Sequence, residues 1–250
     1  ARRGSWQMVR MNLNTFARHG VFGLQRSASE IATKLRDPEA VRAAKAMPYQ
    51  LLAAANSLDA KVPCEVRDAL IDAMEVAVAN APKIEGGLVV CPAVSWSMQS
   101  PVTGHRRGAT TSVRCIDVAG LVAAAMLRSN PGAQVMPFDT KVHKAWLSGR
   151  DTVMSNAQRL ADYGGGGTDC TAPLRALNKH RRAPDLVVFV SDNESWRHLG
   201  DGRTTPMMAE WDKIKRRNPR SKLVCIDIAP YGTTQAKSRD DILNVGGFSD

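Results

Sequence analysis

From residue 86 onward, short apolar runs alternate with longer helical segments, and this alternation constrains the fold more than any other sequence feature. The runs at 88–94, 186–190 and 222–228 are rich in valine, leucine and isoleucine and are bounded by polar or turn-forming residues. Such runs are typical of strands buried on both faces of a parallel sheet. We therefore predict an α/β fold, a doubly wound and mostly parallel sheet of the Rossmann-like kind with helices on both faces.

The segments between these runs complete the predicted sheet. Residues 133–138 are predicted to form another strand, and residues 142–147 an antiparallel edge strand. Helices are predicted at 116–127, 152–163, 171–182 and 205–217. Ligands of such sheets bind beyond the carboxyl ends of the strands, so the loops at that edge are the first candidates for a site.

Up to about residue 83 the apolar residues recur at helical spacing instead. Val66, Leu70, Met74 and Val78 repeat every four residues, for example, and Pro63 precedes them. Short helices of this kind stack in helical-repeat (HEAT-like) proteins. We predict that residues 1–83 end a helical-repeat region and that 84–250 form the α/β domain. Because a few such helices make a poor free-standing domain, we expect a part of a longer protein.

The first helix has one apolar face, a C-cap at Gly20 and one polar, basic face. A second helix is predicted from a capping box at Ser27, and a third is predicted to begin with Asp37 as its N-cap. A cationic face suits contacts to phosphate and sugar, although such a face is also common on a helix that is merely solvated. The residues of the basic face are Arg3, Gln7, Arg10, Asn14 and Arg18.

The net charge favours a polyanionic partner. Lys and Arg number 34 against 24 Asp and Glu, a formal charge of +10, which is suited to nucleic acid. No apolar run reaches the roughly 18 residues that span a bilayer, so no membrane association is expected. The five cysteines are scattered and form no C-x-x-C, which indicates reduced thiols in a cytoplasmic protein rather than disulfides or a zinc site.

Three polar loops are predicted to meet at the carboxyl edge of the sheet. They span residues 93–97, 164–169 and 190–194, and they carry serine, threonine and aspartate side chains. Hard divalent cations prefer oxygen ligands of this kind. The loops therefore predict one Mg²⁺ or Mn²⁺ ion held by hydroxyls and carboxylates.

These residues resemble a known family. A serine pair after the first strand, a distant threonine and a later aspartate are the pattern of the metal-ion-dependent adhesion site (MIDAS) of von Willebrand factor A domains. The stretches 90–104, 165–170 and 190–196 resemble the A domain of the Ro ribonucleoprotein family. Residues 6–20 resemble the helical-repeat (TROVE) region of the same family, so the resemblance covers essentially the whole chain.

The resemblance implies metal ligands at Ser95, Ser97, Thr168 and Asp192. The chain departs from the pattern at Ala93, where the family has its first aspartate. The loss of one carboxylate removes a charge and an acceptor from the ion, so we expect the divalent cation to bind weakly or not at all. The alanine at position 93 is either natural or engineered, and the sequence is the same in both cases.

Other side chains near these loops have more than one interpretation. Asp169 or Glu194 could reach in to replace the missing carboxylate, and Asp227 could assist the site or be structural. Trp96, where a glycine is expected, is either a packing residue or a solvent-facing residue that blocks or replaces a ligand.

The resemblance implies an RNA-binding protein. Members of the family bind small non-coding (Y-type) RNA and the single-stranded ends of misfolded RNA, and bacterial members act with an exoribonuclease. We therefore expect RNA quality control or scaffolding, with Arg3, Arg10, Asn14 and Arg18 as candidate RNA contacts and a possible protein partner at the A domain. Because only 5% of the residues are aromatic, backbone electrostatics should dominate RNA binding.

Two other functions remain open. A metal-dependent protein-interaction module would grip an acidic partner side chain through the bound ion, and a silenced variant would have lost that activity. Catalysis has no support, because the chain contains no G-x-S-x-G or H-E-x-x-H motif and its glycine loop lacks the lysine of a P-loop. We expect no enzymatic activity.

Overall fold

The computed structural model describes residues 3–78, 81–102, 113–163, 165–192, 205–229, 236 and 238–247. The chain divides into two compact units between Ala81 and Pro82, with Val113 grouped with the first unit. This division lies two residues before the boundary expected from the sequence, and the assignment of two domains stays a prediction. Within the described ranges, no helix is long and apolar enough to cross a membrane.

The first unit is helical, and its longest helix forms the centre of the packing. Val66, Leu70, Met74 and Val78 of that helix are buried, as their spacing predicts. The helix contacts the three helices that precede it. In chain order the helices are α1 (Trp6–Met11), α2 (Leu13–Arg18), a 3₁₀ turn (Val21–Gly23), α3 (Ser27–Arg36), α4 (Pro38–Ala43), α5 (Pro48–Asn56) and α6 (Cys64–Val78).

The amino-terminal helix is interrupted at Asn12, which the sequence did not predict. The Asn12 side chain donates to the Met8 carbonyl at 2.9 Å, and its φ of −110° lies outside the helical region. Asparagine favours such local bonds over continuing a helix. The predicted apolar face survives the break, and Gly20 has the left-handed φ of +67° expected of a C-cap glycine.

The two predicted caps have opposite outcomes. The capping box at Ser27 is wrong, because its hydroxyl donates to the carbonyls of Val21 and Leu24 and does not accept from the helix. Arg26 is the N-cap residue instead. The cap at Asp37 is confirmed, since its Oδ1 accepts from the Glu39 N–H at 3.0 Å.

The second unit confirms the doubly wound, mostly parallel sheet. Among the described residues, five strands lie in the order β2-β1-β3-β4-β5, and every neighbouring pair is parallel. The strands are β1 (Leu88–Pro92), β2 (Gln134–Val135), β3 (Leu186–Ser191), β4 (Lys222–Asp227) and β5 (Ile242–Gly246). The helices are a 3₁₀ turn (Trp96–Gln99), α7 (Cys115–Ser129), α8 (Val153–Ala161), α9 (Ala172–Lys179) and α10 (Pro206–Arg217).

The edges of the sheet differ from the sequence prediction. The strand expected at 133–138 is reduced to two residues, and the segment 142–147 forms no strand. Its contacts include an isolated bridge between Phe138 and Val142 and a hydrogen bond from the His143 N–H to the Pro137 carbonyl, 2.8 Å, but no continuous ladder. β5 was not predicted, because an exposed edge strand lacks the continuous apolar run of a buried one.

Candidate functional site

The loop at residues 93–97, here called the serine loop because it carries Ser95 and Ser97, begins where β1 ends. Two backbone hydrogen bonds hold its first residues in place. The Ala93 N–H donates to the Val190 carbonyl at 2.9 Å, and the Val94 N–H donates to the Phe138 carbonyl at 2.8 Å. Since β3 and β4 run parallel to β1, Asp192 and Asp227 reach the same edge of the sheet. The topology therefore places the serine loop and both carboxylates at the carboxyl ends of the parallel strands, as the sequence predicted for Asp192.

The loop at residues 165–169, here called the glycine loop, is hydrogen-bonded to the serine loop. The Trp96 N–H donates to the Gly166 carbonyl at 3.1 Å. Gly166 has a φ of +86°, and a β-carbon there would lie 3.1 Å from Asp139 Oδ2, so the position requires glycine. The Asp169 N–H also donates to the Asp139 carbonyl, 2.8 Å. These bonds bring the loop that carries Thr168 to the serine loop.

Two of the three hydroxyl ligands implied by the family pattern, Ser95 and Thr168, are buried, and Ser97 is half-buried. Ser95 Oγ lies 3.2 Å from Ser97 Oγ, and Ser95 and Thr168 are 1% and 2% exposed. Thr168 Oγ1 is buried and has no hydrogen-bond partner among the described residues. A buried hydroxyl is rarely left unsatisfied, so this oxygen is suited to a water or a cation.

Asp169 does not take the place of the first aspartate of the pattern. Ala93 is fully buried and contributes only a methyl group. Asp169 accepts from the Thr171 N–H at 3.0 Å and from the Thr171 hydroxyl at 2.6 Å, and its other oxygen pairs with Arg175. Both carboxylate oxygens are therefore engaged, which argues against Asp169 as a metal ligand. Glu194 lies outside the described residues.

Asp227 is a second buried carboxylate at this edge. It is 3% exposed, and its Oδ1 has no hydrogen-bond partner within the described part of the chain. Burial, and then the charge of Asp192, raise the pKa of Asp227 to about 6. The sequence left the role of Asp227 open, and the structure places its charge close enough to Asp192 for the two to repel.

The donor set fits a divalent cation only in part. The three hydroxyls and Asp192 are the oxygen ligands that Mg²⁺ accepts, but Mg²⁺ binds protein mainly through carboxylates. Across the described ranges, no group of three or more His, Cys, Asp or Glu side chains is arranged to hold a metal. Trp96 is 75% exposed, which matches the solvent-facing alternative for this residue.

The Asp227 carboxyl is expected to make stability depend on pH. The pKa of Asp227 in the folded chain lies above the unfolded value of 3.8, so between about pH 4 and 6 the folded chain binds a proton that the unfolded chain has lost. The protonated carboxyl therefore favours the folded state at low pH, and this stabilisation is lost as pH rises through 6. Between pH 4 and pH 8, we expect the free energy of unfolding of Asp227→Asn to rise by about 2 kcal/mol relative to that of the parent. Urea unfolding in chelator measures this, and parallel pH curves for the two proteins would contradict it.

The candidate RNA contacts of the first unit have two different environments. Arg3 and Arg18 are exposed. Arg10 Nη1 donates to the Gln50 carbonyl at 3.0 Å. The Asn14 side chain donates to the Ser57 carbonyl at 2.8 Å and also accepts from the Asp59 N–H, 2.9 Å. Arg10 and Asn14 therefore connect α1 and α2 to the α5 region, which leaves Arg3 and Arg18 as the better RNA candidates.

Comparisons with known proteins agree with this architecture. A family model described as the Ro60 vWA domain matches residues 88–250. The RNA-binding protein RO60 of Deinococcus radiodurans is 28% identical over 261 residues, covering 95% of this chain and 46% of that protein.

A solved structure supports the same fold. The crystal structure of the Deinococcus radiodurans RO (RSR) protein matches with a TM-score of 0.77 at 22% identity, and it covers 99% of this chain and 51% of the other. At this identity the match shows the fold alone. The chain spans about half the length of these relatives.

Proposed function

The chain belongs to the Ro60 vWA domain family, and we propose that it is an RNA-binding protein of the Ro type. The observation that carries the proposal is the match of 95% of the chain to a relative named as an RNA-binding protein. We extend the proposal to small non-coding, Y-like RNA and misfolded RNA, bound for quality control or as a scaffold.

The charge of the chain supports a polyanionic ligand. The formal charge is +10, and Arg3 and Arg18 are exposed on the first unit. Such cations bind phosphates without reading sequence, and binding releases the counterions of the nucleic acid. Affinity for RNA should therefore depend strongly on salt.

We expect the affinity for a labelled single-stranded RNA to fall roughly 10- to 100-fold between 50 and 200 mM KCl. The double variant Arg3→Ala/Arg18→Ala should reduce the slope of log K against log salt by about 1.4, because each phosphate contact contributes about 0.7. Fluorescence anisotropy measures both. Arg36→Ala is a matched control, since Arg36 is an exposed arginine of the same unit that pairs with Asp72. Binding that does not depend on salt would contradict the proposal.

The A domain is proposed to act by binding rather than by catalysis. Of the ligands in the family pattern, its loops supply the hydroxyls and the buried carboxylate of Asp192, and Ala93 supplies no ligand. We propose that Mg²⁺ or Mn²⁺ binds weakly or not at all. A protein partner, such as an exoribonuclease, would then dock without a bridging metal.

A metal-dependent protein-interaction module is the second candidate function. The unpartnered, buried Thr168 hydroxyl supports it, because that oxygen is suited to a cation. Ala93 weighs against it, since a partner carboxylate needs the ion as a bridge. Partner capture that chelator abolishes would favour this second function over RNA binding.

A further inference from the structure

Trp146 is 87% exposed, the largest exposure of any large apolar side chain in the described part of the second unit. It lies in the segment 142–147, beyond the edge strand β2. A single exposed apolar side chain is common on protein surfaces, so Trp146 is a candidate binding residue only if its surroundings suit a ligand.

The surroundings of Trp146 are concave. A cavity of about 520 Å³ is lined by Trp146, Leu147, Arg159, Asp162 and Tyr163. A second cavity of about 410 Å³ lies between residues 133–136, which include the outer strand β2, and residues 142–147. Trp146 lines this cavity as well. One indole therefore borders two cavities, each large enough for a small planar group.

The segment that carries Trp146 is anchored to the protein. The Tyr163 hydroxyl donates to the Lys144 carbonyl at 2.6 Å. Arg128 Nη1 donates to the carbonyls of Gly149, 2.9 Å, and Asp151, 3.2 Å. These bonds hold the backbone before and after Trp146, so less conformational entropy is lost when a ligand binds to the ring.

The charged side chains around the cavities are of both signs, but the cations Lys144, Arg150 and Arg159 outnumber the anions Asp151 and Asp162. The side chains of Lys144 and Arg150 are exposed. The Arg159 side chain is 51% exposed and pairs with Asp151. An exposed aromatic side chain beside cations is the arrangement with which proteins bind single-stranded nucleic acid, because bases stack on the ring while the cations contact the backbone.

We propose that this surface binds single-stranded RNA, with a base stacked on Trp146 and phosphates contacted by Lys144 and Arg159. We call it the Trp146 face, defined by Lys144, Trp146, Leu147, Arg159 and Tyr163. The inference rests on the proposed RNA-binding function and adds a contact on the A domain. It also modifies the expectation that the low aromatic content leaves binding to backbone electrostatics alone.

An extended acidic peptide is the competing occupant of a basic groove beside a sheet edge. RNA is favoured because a planar indole bordered by two cavities matches a base, whereas a peptide strand needs a row of free backbone groups. Pro137 has no N–H to offer, and its carbonyl already accepts from His143. The edge is therefore too short for a paired strand.

The test uses the whole chain and a labelled 12-nucleotide oligoadenylate RNA. We expect Trp146→Ala to raise the Kd about 10-fold and Trp146→Phe to retain most of the affinity, because phenylalanine still stacks. Lys144→Gln should reduce the salt slope by about 0.7. The control is Leu243→Ala, which removes a side chain 58% exposed on β5 at the opposite edge of the sheet.

The outcomes separate this inference from the function on which it rests. RNA binding that is intact in the parent and unchanged in Trp146→Ala overturns the Trp146 face and leaves the Ro-type function standing. A parent chain that binds no RNA overturns both. Oligoglutamate binding that Trp146→Ala weakens, with RNA binding unchanged, would assign the face to a peptide. Thermal unfolding of each variant confirms that the fold is retained.

Discussion

Ala93→Asp is expected to create a divalent-cation site in a protein for which we propose weak or no binding of Mg²⁺ and Mn²⁺. The substitution adds a carboxylate beside Ser95 and Ser97, whose hydroxyls lie 3.2 Å apart. We expect at least about a tenfold gain in affinity, because the charge of the ligands sets the strength of such sites. Calorimetric titration of each metal into both proteins measures the gain.

The same variant should depend on the metal for its stability. Ala93 is fully buried, so an aspartate without its ion is an uncompensated buried charge and should cost about 2 kcal/mol. An ion at 100 times its Kd would return about 2.7 kcal/mol. Ala93→Asn is the matched control, with the same shape and no charge.

Asp192→Ala in the Ala93→Asp background should abolish the gained affinity, since it removes the other carboxylate of the pattern. Two results would contradict the account. In one, the parent chain already binds Mg²⁺ at micromolar concentration. In the other, Ala93→Asp gains no affinity while its fold is retained.

Asp169→Ala is expected to destabilise the protein by about 2 to 3 kcal/mol without changing metal affinity. Asp169 is 2% exposed and accepts both donors of Thr171 as well as Arg175. Removal leaves these buried donors without a partner, which costs more than the net value of the bonds. The half-exposed Arg175 regains water, so the loss stays below that of a fully buried pair.

This loss should disappear in acid. Burial raises the pKa of Asp169, but the hydrogen bonds from Thr171 and the charge of Arg175 outweigh it and hold the pKa below its usual value. The ionised carboxylate therefore contributes its stability above about pH 4, and the contribution is lost as pH falls through the lowered pKa. Chemical unfolding from pH 2 to 7 tests this.

Asp240→Ala is the matched control for Asp169→Ala, since Asp240 is an exposed aspartate of the same unit. It should change stability by less than about 0.5 kcal/mol. A parent and an Asp169→Ala variant that are equally stable at pH 7 would show that the Thr171 and Arg175 contacts are not stabilising.

The central strands were predictable from sequence because each contains a short apolar run. β1 and β3 are buried along nearly their whole length, as such runs predict, whereas β4 alternates between buried and half-buried residues after the exposed Lys222. β5 has the burial pattern of an edge, with Leu243 and Val245 exposed, so no periodic signal marks it. The break at Asn12 depends on one side-chain bond, which spacing does not reveal.

The sequence predicted where Ser95 and Asp192 lie at the carboxyl ends of the strands, but it did not predict the charge states around them. The strand ends fixed where Ser95 and Asp192 lie, because topology alone brings them to one edge. The engagement of Asp169 depends on local bonds to Thr171 and Arg175 that motif spacing does not reveal. The raised pKa of Asp227 depends on burial and on Asp192, which follows the neighbouring strand. Trp146 was predicted to lie in an edge strand, and only the structure shows that its segment leaves the sheet and exposes the ring.

The most direct test of the account is the affinity of the chain for an unstructured RNA, measured by anisotropy in EDTA and in Mg²⁺ at matched ionic strength, at 50 and 200 mM KCl. An RNA-binding protein whose A domain lacks a working metal site should bind in both, with equal affinity and a steep dependence on salt. RNA binding that requires Mg²⁺, or that is absent under all conditions, would contradict it.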